Sequence, residues 1–552
     1  MASPSDDSSP SVFLCLSRTD NRTELNQSVT HGQRMAVIRD LLALHPYWSS
    51  TLIQEGAISA VCLHLGFVLN RPQAPECEEA LRFLCSALDF LFEHCHDDLM
   101  ETSVREIGED VIHLTTQTFL VYRSITEGSD SQVVPDRNGV EITVLSIWKR
   151  CSGCLPGAIL MARSQTLMDM IVEVLATTTT TTSTHTTINN AIDTRYDAID
   201  LALAIVKHIT HFAEDDRMRI LENQPLLNAL LGIDVREGRP NQRLSAIFRN
   251  LSLSPNVRLV LVQCPSVLST LVRLCQPSHS NRVIRNVLST FDSLAMDGDS
   301  AVALVLHGDG IVLQVLARLV AEHSDETARH RATRALRLLA RQSATPLLVH
   351  DETLMETLLT SGLHDENEHV RVEAAEAFAS CASILKSSMA GHAEMLHSLT
   401  RLVHRNPAAS ESIAKALHQQ AGYPGNKQAM AENRHVLEAL ATIAVREGLS
   451  VACKVAATSA LHKLSSASSV RGHLVTGSVL QALTHTAHDR SETVRNHAMS
   501  TLLNLATLDS NRKVMVSHAG LLQSLVQYVA TSTDNERKKT VKKTILKLVP
   551  LL

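Results

Sequence analysis

The sequence predicts an all-α solenoid, a one-dimensional stack of helical repeats. Three observations carry that prediction. A helical motif recurs at a spacing of 39 to 45 residues; apolar content is 44% with only 3% aromatic; and 21 glycines and 16 prolines are few for 552 residues. The low aromatic share leaves Leu, Val, Ile and Ala to build the core, a set that packs well between stacked helices. Scarce Gly and Pro leave the helices uninterrupted. Such an array grows in one dimension, so chain length says little about the number of domains.

The clearest unit runs from Val494 to Val529. Ala498, Leu502 and Leu505 stand at i, i+4 and i+7 and form one apolar face of a helix. Asp509, Ser510 and Asn511 suit a turn. After the short apolar run Val514 to Val516, Gly520 interrupts the pattern, and Leu521, Leu522, Leu525, Val526 and Val529 make a broad helical stripe. Neither helix hides its apolar face alone, so neighbouring copies must cover it.

In chain order, residues 1–32 are rich in Ser, Asp, Asn and Thr and read as a disordered arm. Its apolar run Val12 to Leu16 is too short for a secretion leader. Residues 33–190 hold divergent repeats. Arg34 to Leu44 is helical in pattern and ends at His45-Pro46. Ser50 to Leu69 repeats the Gly520 arrangement, with Gly56 followed by Ile58, Val61, Cys62 and Leu65. Leu91 and Cys151 mark further copies at looser spacing, with insertions at Glu127 to Asn138 and in the Thr-rich loop 177–187. The β-branched Thr tract has nothing to pack and reads as a disordered loop.

From 191 to 552 the repeats are regular. With Leu505 as reference, the equivalent positions are Ile209, Leu251, Leu294, Leu339, Cys381, Gln420, Leu464 and Leu548. Successive spacings are 42, 43, 45, 42, 39, 44, 41 and 43 residues. The last helix is crowded with Arg537, Lys538, Lys539, Lys542, Lys543 and Lys547, over an expected buried side of Val541, Ile545, Leu548 and Val549. A charged end helix suits a terminal repeat, whose outer face meets water.

These repeats resemble the armadillo family, in which a helix of pattern A-x-x-x-L-x-N-L-(A/S) is followed by Asn plus a basic residue and then by Gly. Here the pattern reads Ala498, Leu502, Asn504, Leu505, Asn511-Arg512 and Gly520. It stands again as Phe248, Asn250, Leu251, Ser252 and Asn256, and in part at Asn426-Lys427 and Gly477. Two turns, His364-Asp365 before Val370-Arg371 and His488-Asp489 before Val494-Arg495, are similar to the related HEAT type. The resemblance implies a right-handed armadillo-type superhelix of roughly ten to twelve repeats. It also implies a concave groove lined by third helices.

Composition narrows the function. The net charge is −6, which disfavours a dedicated nucleic-acid binder. No run of 18 apolar residues occurs, so no membrane span is expected. Eleven scattered cysteines read as reduced thiols of a cytoplasmic or nuclear protein. Cys151-Ser152-Gly153-Cys154 lacks the second pair of ligands that a structural zinc site needs, and Cys151 occupies a core position. The run Glu93 to Asp98 and the pairs His208/His211 and His485/His488 have ligand-type side chains, but a polar turn and chance explain them better than a metal does. No GxxxxGK(S/T), HExxH or GxSxG motif occurs. None of the 27 histidines precedes a Glu, which argues against the iron-binding hydroxylases built on HEAT-like frames.

The expected function is therefore a non-catalytic scaffold without cofactor or metal, binding partner proteins or linear peptides along its groove. A karyopherin-like transport adaptor is the alternative, and a HEAT-like metal-dependent enzyme a second. The expected partner-binding residues are Arg273, Arg318, Arg401, Arg405, His485 and Gln527, a mildly basic set on an acidic protein that would attract an acidic extended segment. Arg329, Arg371, Lys454, Arg495 and Lys538 share one repeat position and are expected to link adjacent repeats through Asp365 and Asp489.

Overall fold

Repeats that bury one helix face must stack, and the computed structural model shows such stacks. It describes residues 57–70, 77–93, 97–127, 137–176, 189–233, 239–343, 347–386, 393–531 and 535–549. The N-terminal arm, the helical pattern Arg34 to Leu44, Gly56, the run His94 to His96 and the Thr-rich loop lie outside these residues. The described residues are helical and contain no strand. They divide into two compact units, residues 1–261 with 276–287, and residues 262–275 with 288–552.

The first unit holds α1 (Ala57–Leu69), α2 (Cys77–Glu93), α3 (Asp97–Glu127), α4 (Arg137–Cys151), α5 (Leu155–Arg163), α6 (Gln165–Ala176), α7 (Asn189–Phe212), α8 (Arg217–Glu222), α9 (Gln224–Leu231), α10 (Arg239–Ser252), α11 (Pro255–Gln263) and the first half of α13 (Asn281–Leu294). Here α2, α4, α7 and α10 pack in succession as one layer. The pairs α1–α3, α3–α5 and α6–α9 form the other.

The second unit begins with α12 (Pro265–Leu274) and, after α13, continues through α14 (Gly298–Leu306), α15 (Ile311–Glu322), α16 (Glu326–Ser343), α17 (Leu347–His350), α18 (Glu352–His364), α19 (Glu368–Ile384), α20 (Ala393–Arg405) and α21 (Ser410–Gln420). It ends with α22 (Pro424–Glu432), α23 (Arg434–Val445), α24 (Val451–Ser465), α25 (Gly477–Thr486), α26 (Glu492–Leu505), α27 (Asp509–Ser517), α28 (Leu521–Thr531) and α29 (Asn535–Leu548). One layer is α16, α19, α21, α24, α26 and α29; the other is α12, α15, α18, α20, α23, α25 and α28.

The repeat register read from the sequence coincides with burial. Ile209, Leu251, Leu294, Leu339, Cys381, Leu464, Leu505 and Leu548 are all buried, as are the looser candidates Leu91 and Cys151. Gln420 is buried as well, although it is polar, because its amide donates to the carbonyl of Ala382 at 2.8 Å. A buried amide with a partner avoids the cost of desolvation without compensation. Cys151 is a core thiol and Cys154 is free, partly buried and directed at the Cys151 carbonyl at 3.2 Å.

Helix ends are stitched by side chains. Asp297, Asp351, Asn367, Asn433, Ser450 and Thr476 cap N-termini through their side-chain oxygens. At the other ends a recurring arginine donates to two exhausted carbonyls of the preceding turn. Arg371 reaches Asp365 and Glu366; Arg495 reaches Asp489 and Arg490; Arg471 reaches Ser465 and Ser466; Arg512 reaches Ala506 and Thr507; Arg258 reaches Ser252 and Leu253. These carbonyls have no intrahelical donor, so each clamp satisfies groups that a turn would otherwise leave unpaired.

Of the five expected charged links between repeats, two form among the described residues, while Arg371, Arg495 and Lys538 make none. Arg329 grips Asp365 through two bonds of 2.9 and 3.2 Å, and Lys454 reaches Asp489 at 3.3 Å. Arg371 and Arg495 serve as carbonyl clamps instead. Links between repeats run through buried asparagines too. Asn511 donates to Leu505 in its own repeat and to Arg471 in the repeat before; Asn426 does the same with Gln420 and Lys386.

Gly310 and Gly520 adopt positive φ, +88° and +79°, which glycine enters without the Cβ clash that other residues meet. Gly308, Asp309 and Gly310 all have positive φ and break Gly298–Glu322, the one helical stretch among the described residues apolar and long enough for a membrane crossing. On α29, Val541, Thr544 and Leu548 face inward while Val549 is exposed; α29 ends at Leu548, so Val549 leaves the buried stripe.

Leu502→Asp places an unpaired carboxyl where the side chain is fully buried, and its thermal midpoint should fall well below that of the wild type, at a cost of several kcal/mol, about 3 or more. Asn511→Ala strands the Leu505 and Arg471 carbonyls and should cost about 1–3 kcal/mol, read as a lower urea midpoint with an unchanged slope.

Candidate anion-binding cleft

In the first unit the layer α4, α7, α10 and the start of α13 carries a concentration of positive charge. Its origin is the repeat register. Lys149, Lys207 and Arg249 each precede the buried reference positions Cys151, Ile209 and Leu251 by two residues. Arg239 and Arg282 likewise occupy one repeat position, 43 residues apart. On α10, Arg239, Gln242, Arg243, Ala246 and Arg249 follow 3–4 spacing and so share a face.

Lys207, Arg239, Gln242, Arg243, Ala246 and Arg282 line a cleft of about 180 Å³. That is the volume of roughly six waters. Four of these side chains are cationic and none is a carboxylate. Arg243 is held by Asp200 in a two-pronged ion pair, Nε to Oδ1 at 2.5 Å and Nη2 to Oδ2 at 2.7 Å. Among the described residues, Lys207, Arg239 and Arg282 have no such acidic partner. Burial, and then the charges of Arg243, Arg282, Lys149 and Arg249, hold the Lys207 ammonium below the usual lysine range. The cleft therefore stores cation–cation repulsion that an anion relieves.

Around the cleft the polar groups are ordered. Asn250 donates to the Lys207 carbonyl at 3.2 Å, fixing α10 against α7. His208 sits beside Ser152 Oγ, 3.1 Å from its Nδ1. Burial and the neighbouring Lys207 push its pKa down to about 4, so it is neutral at physiological pH. His211 packs edge-on against Phe212 and does not join His208 as a ligand pair. Among the described residues no three His, Cys, Asp or Glu side chains gather as a metal site would require.

The residues expected to bind a partner stand elsewhere, in the second unit and in its other layer: Arg273 on α12, Arg318 on α15, Arg401 and Arg405 on α20, His485 on α25 and Gln527 on α28. All are exposed except Arg318, whose partly buried side chain encloses its Nε and Nη2. Arg405 is tied to the Leu363 carbonyl at 3.2 Å. They are spread over five helices of that layer, with α18 and α23 between them, and are not gathered at one place. The sequence signal for the cleft was present in the paired repeat positions, but it was visible only for residues counted from the buried reference rather than from helix ends.

No family model matches this sequence, and no curated protein matches it. Solved structures do. One is an engineered protein from the Northeast Structural Genomics Consortium, at 15% identity and a TM-score of 0.50, covering 89% of this chain and 98% of that one. Another is titled as the crystal structure of Uso1-1, at 11% identity and a TM-score of 0.50, covering 94% of this chain and 92% of that one. At such identities the likeness is one of fold alone, an all-α array of helical repeats.

His208 gives the site a pH signature. Its folded pKa lies below its unfolded value of 6.5, so the unfolded chain binds the extra proton between about 6.5 and 4. Stability should therefore fall as pH drops through that window, and His208→Gln should show a shallower fall than the wild type when thermal midpoints are followed from pH 7 to pH 4.5.

Proposed function

We propose that this protein is a non-catalytic scaffold of the armadillo type, a right-handed solenoid that holds an acidic segment of a partner protein on the basic helix layer of its first unit. The observation that supports this reading is the cleft of Lys207, Arg239, Arg243 and Arg282, where three of four cations lack an acidic partner among the described residues. A folded protein of net charge −6 has acidic side chains to spare for neutralising them. Positive charge left unpaired on adjacent helices suits a ligand that supplies the missing anions, and an extended segment can follow helices stacked side by side. The same sign of charge runs against the transport-adaptor alternative in the form that captures a basic signal. Free thiols in the core fit a protein of the cytoplasm or nucleus. The row Arg273, Arg401 and Arg405 offers a second, weaker positive surface for the same kind of partner.

A fluorescent oligoglutamate peptide tests the reading by anisotropy at low and moderate salt. The wild type should bind it with an affinity that drops steeply as salt rises, and Arg239→Glu with Arg282→Glu should weaken binding at least tenfold. Arg273→Glu with Arg401→Glu should change it far less. Equal loss in both double variants would move the binding surface, and preference for an oligolysine peptide would overturn the acidic partner.

A further inference from the structure

We propose that the cleft between α7, α10 and the start of α13 is a phosphoryl-group site, built for a doubly charged anion with three acceptor oxygens rather than for a carboxylate. This rests on the reading of the basic layer as an acidic-segment surface and names what one point of it takes. Lys207, Arg239 and Arg282 reach the cleft from three successive helices of one layer, so an anion seated there meets donors from three separate elements. A carboxylate carries one charge and two oxygens in one plane. A phosphoryl group carries about −1.5 to −2 at neutral pH and offers three oxygens spread in space. It therefore matches three unpaired cations in charge and in geometry, where a single carboxylate leaves two cations repelling each other.

The surroundings agree with this assignment. Asp200 already occupies the fork of Arg243 and neutralises it, which leaves Lys207, Arg239 and Arg282 as the cations that meet the ligand. Gln242 adds a neutral amide donor to the lining. The volume of about 180 Å³ admits a phosphoryl group with some of its water. Lys207, held below the ordinary lysine range by burial and by its cationic neighbours, regains its proton affinity when a dianion enters.

The group has two sources, a phosphorylated side chain within an acidic segment or a free polyphosphate, and calorimetry on the full chain separates them. The probes are a Glu-rich peptide with a central phosphoserine, the same peptide with Ser or Glu at that position, and inorganic pyrophosphate. The phosphoserine peptide should bind at least tenfold more tightly than the Glu peptide, and pyrophosphate should compete with it. Lys207→Met should abolish the tenfold preference. Pyrophosphate binding more tightly than any peptide supports the site with a free anion as its source. Equal binding of the phosphoserine and Glu peptides overturns the phosphoryl site and leaves the acidic-segment surface standing. Binding of none of the four probes overturns both. Because the decisive comparison is between probes on wild-type protein, it holds even if Lys207→Met fails to fold.

Discussion

The capture of helix-end carbonyls by side chains is the interaction on which the stacks depend. A repeat of this kind must turn sharply after every helix, and each turn brings carbonyls without intrahelical donors close to the apolar interior. Arg258, Arg371, Arg471, Arg495 and Arg512 each span two such carbonyls, and Asn426 and Asn511 join a carbonyl of their own repeat to one in the repeat before. In Arg258, Arg471 and Arg512 two different nitrogens of the rigid guanidinium fork hold the two carbonyls, a geometry pre-organised in arginine. Hydrophobic burial drives the helices together without setting their direction. The clamps set the direction, because they work only when each turn lies where the neighbouring helix presents its end.

Fixed turns have a consequence for the surface. When every repeat has the same geometry, residues at one repeat position line up on adjacent helices even though the chain separates them by more than forty residues. Lys149, Lys207 and Arg249 are aligned in this way, as are Arg239 and Arg282. Charge that looks dispersed along the sequence becomes dense on one layer of the first unit. The second unit uses the same device differently. On its corresponding layer Arg337 meets Glu373 and Glu376, and Arg334 faces Asp292, so that cations and carboxylates largely cancel. Asp292 is so enclosed that burial raises its pKa to about 7 in spite of the arginines nearby. The first unit's layer pairs Arg150 with Asp89 and Arg243 with Asp200 but leaves Lys207, Arg239 and Arg282 without a carboxylate among the described residues.

Much of the architecture was legible in the sequence, because apolar spacing and turn residues are local properties. The buried register from Ile209 to Leu548, the break at Gly310 before α15 and the core position of Cys151 all follow from residues a few positions apart. Where the pattern was read one step too far, as at Val549, the cause was a helix ending one residue earlier than the stripe implied. The polar residue at the reference position, Gln420, is the instructive exception: its burial depends on the Ala382 carbonyl of another repeat, which no local pattern contains.

The sequence by itself determined that this chain is all-α and repeated, since periodicity near 3.6 and a recurrence near 42 residues need no knowledge of what touches what. It also pointed to a recurring basic position that links repeats through Asp365 and Asp489, a reading that holds for Arg329 and Lys454 and fails for Arg371, Arg495 and Lys538. Only the tertiary structure decided which cations remain unpaired. Arg243 and Lys207 are both basic residues on helices in the sequence, yet Asp200 neutralises the first while the second is left among like charges. That difference is set by side-chain reach across a helix interface, a distance of a few ångströms that composition and spacing do not encode.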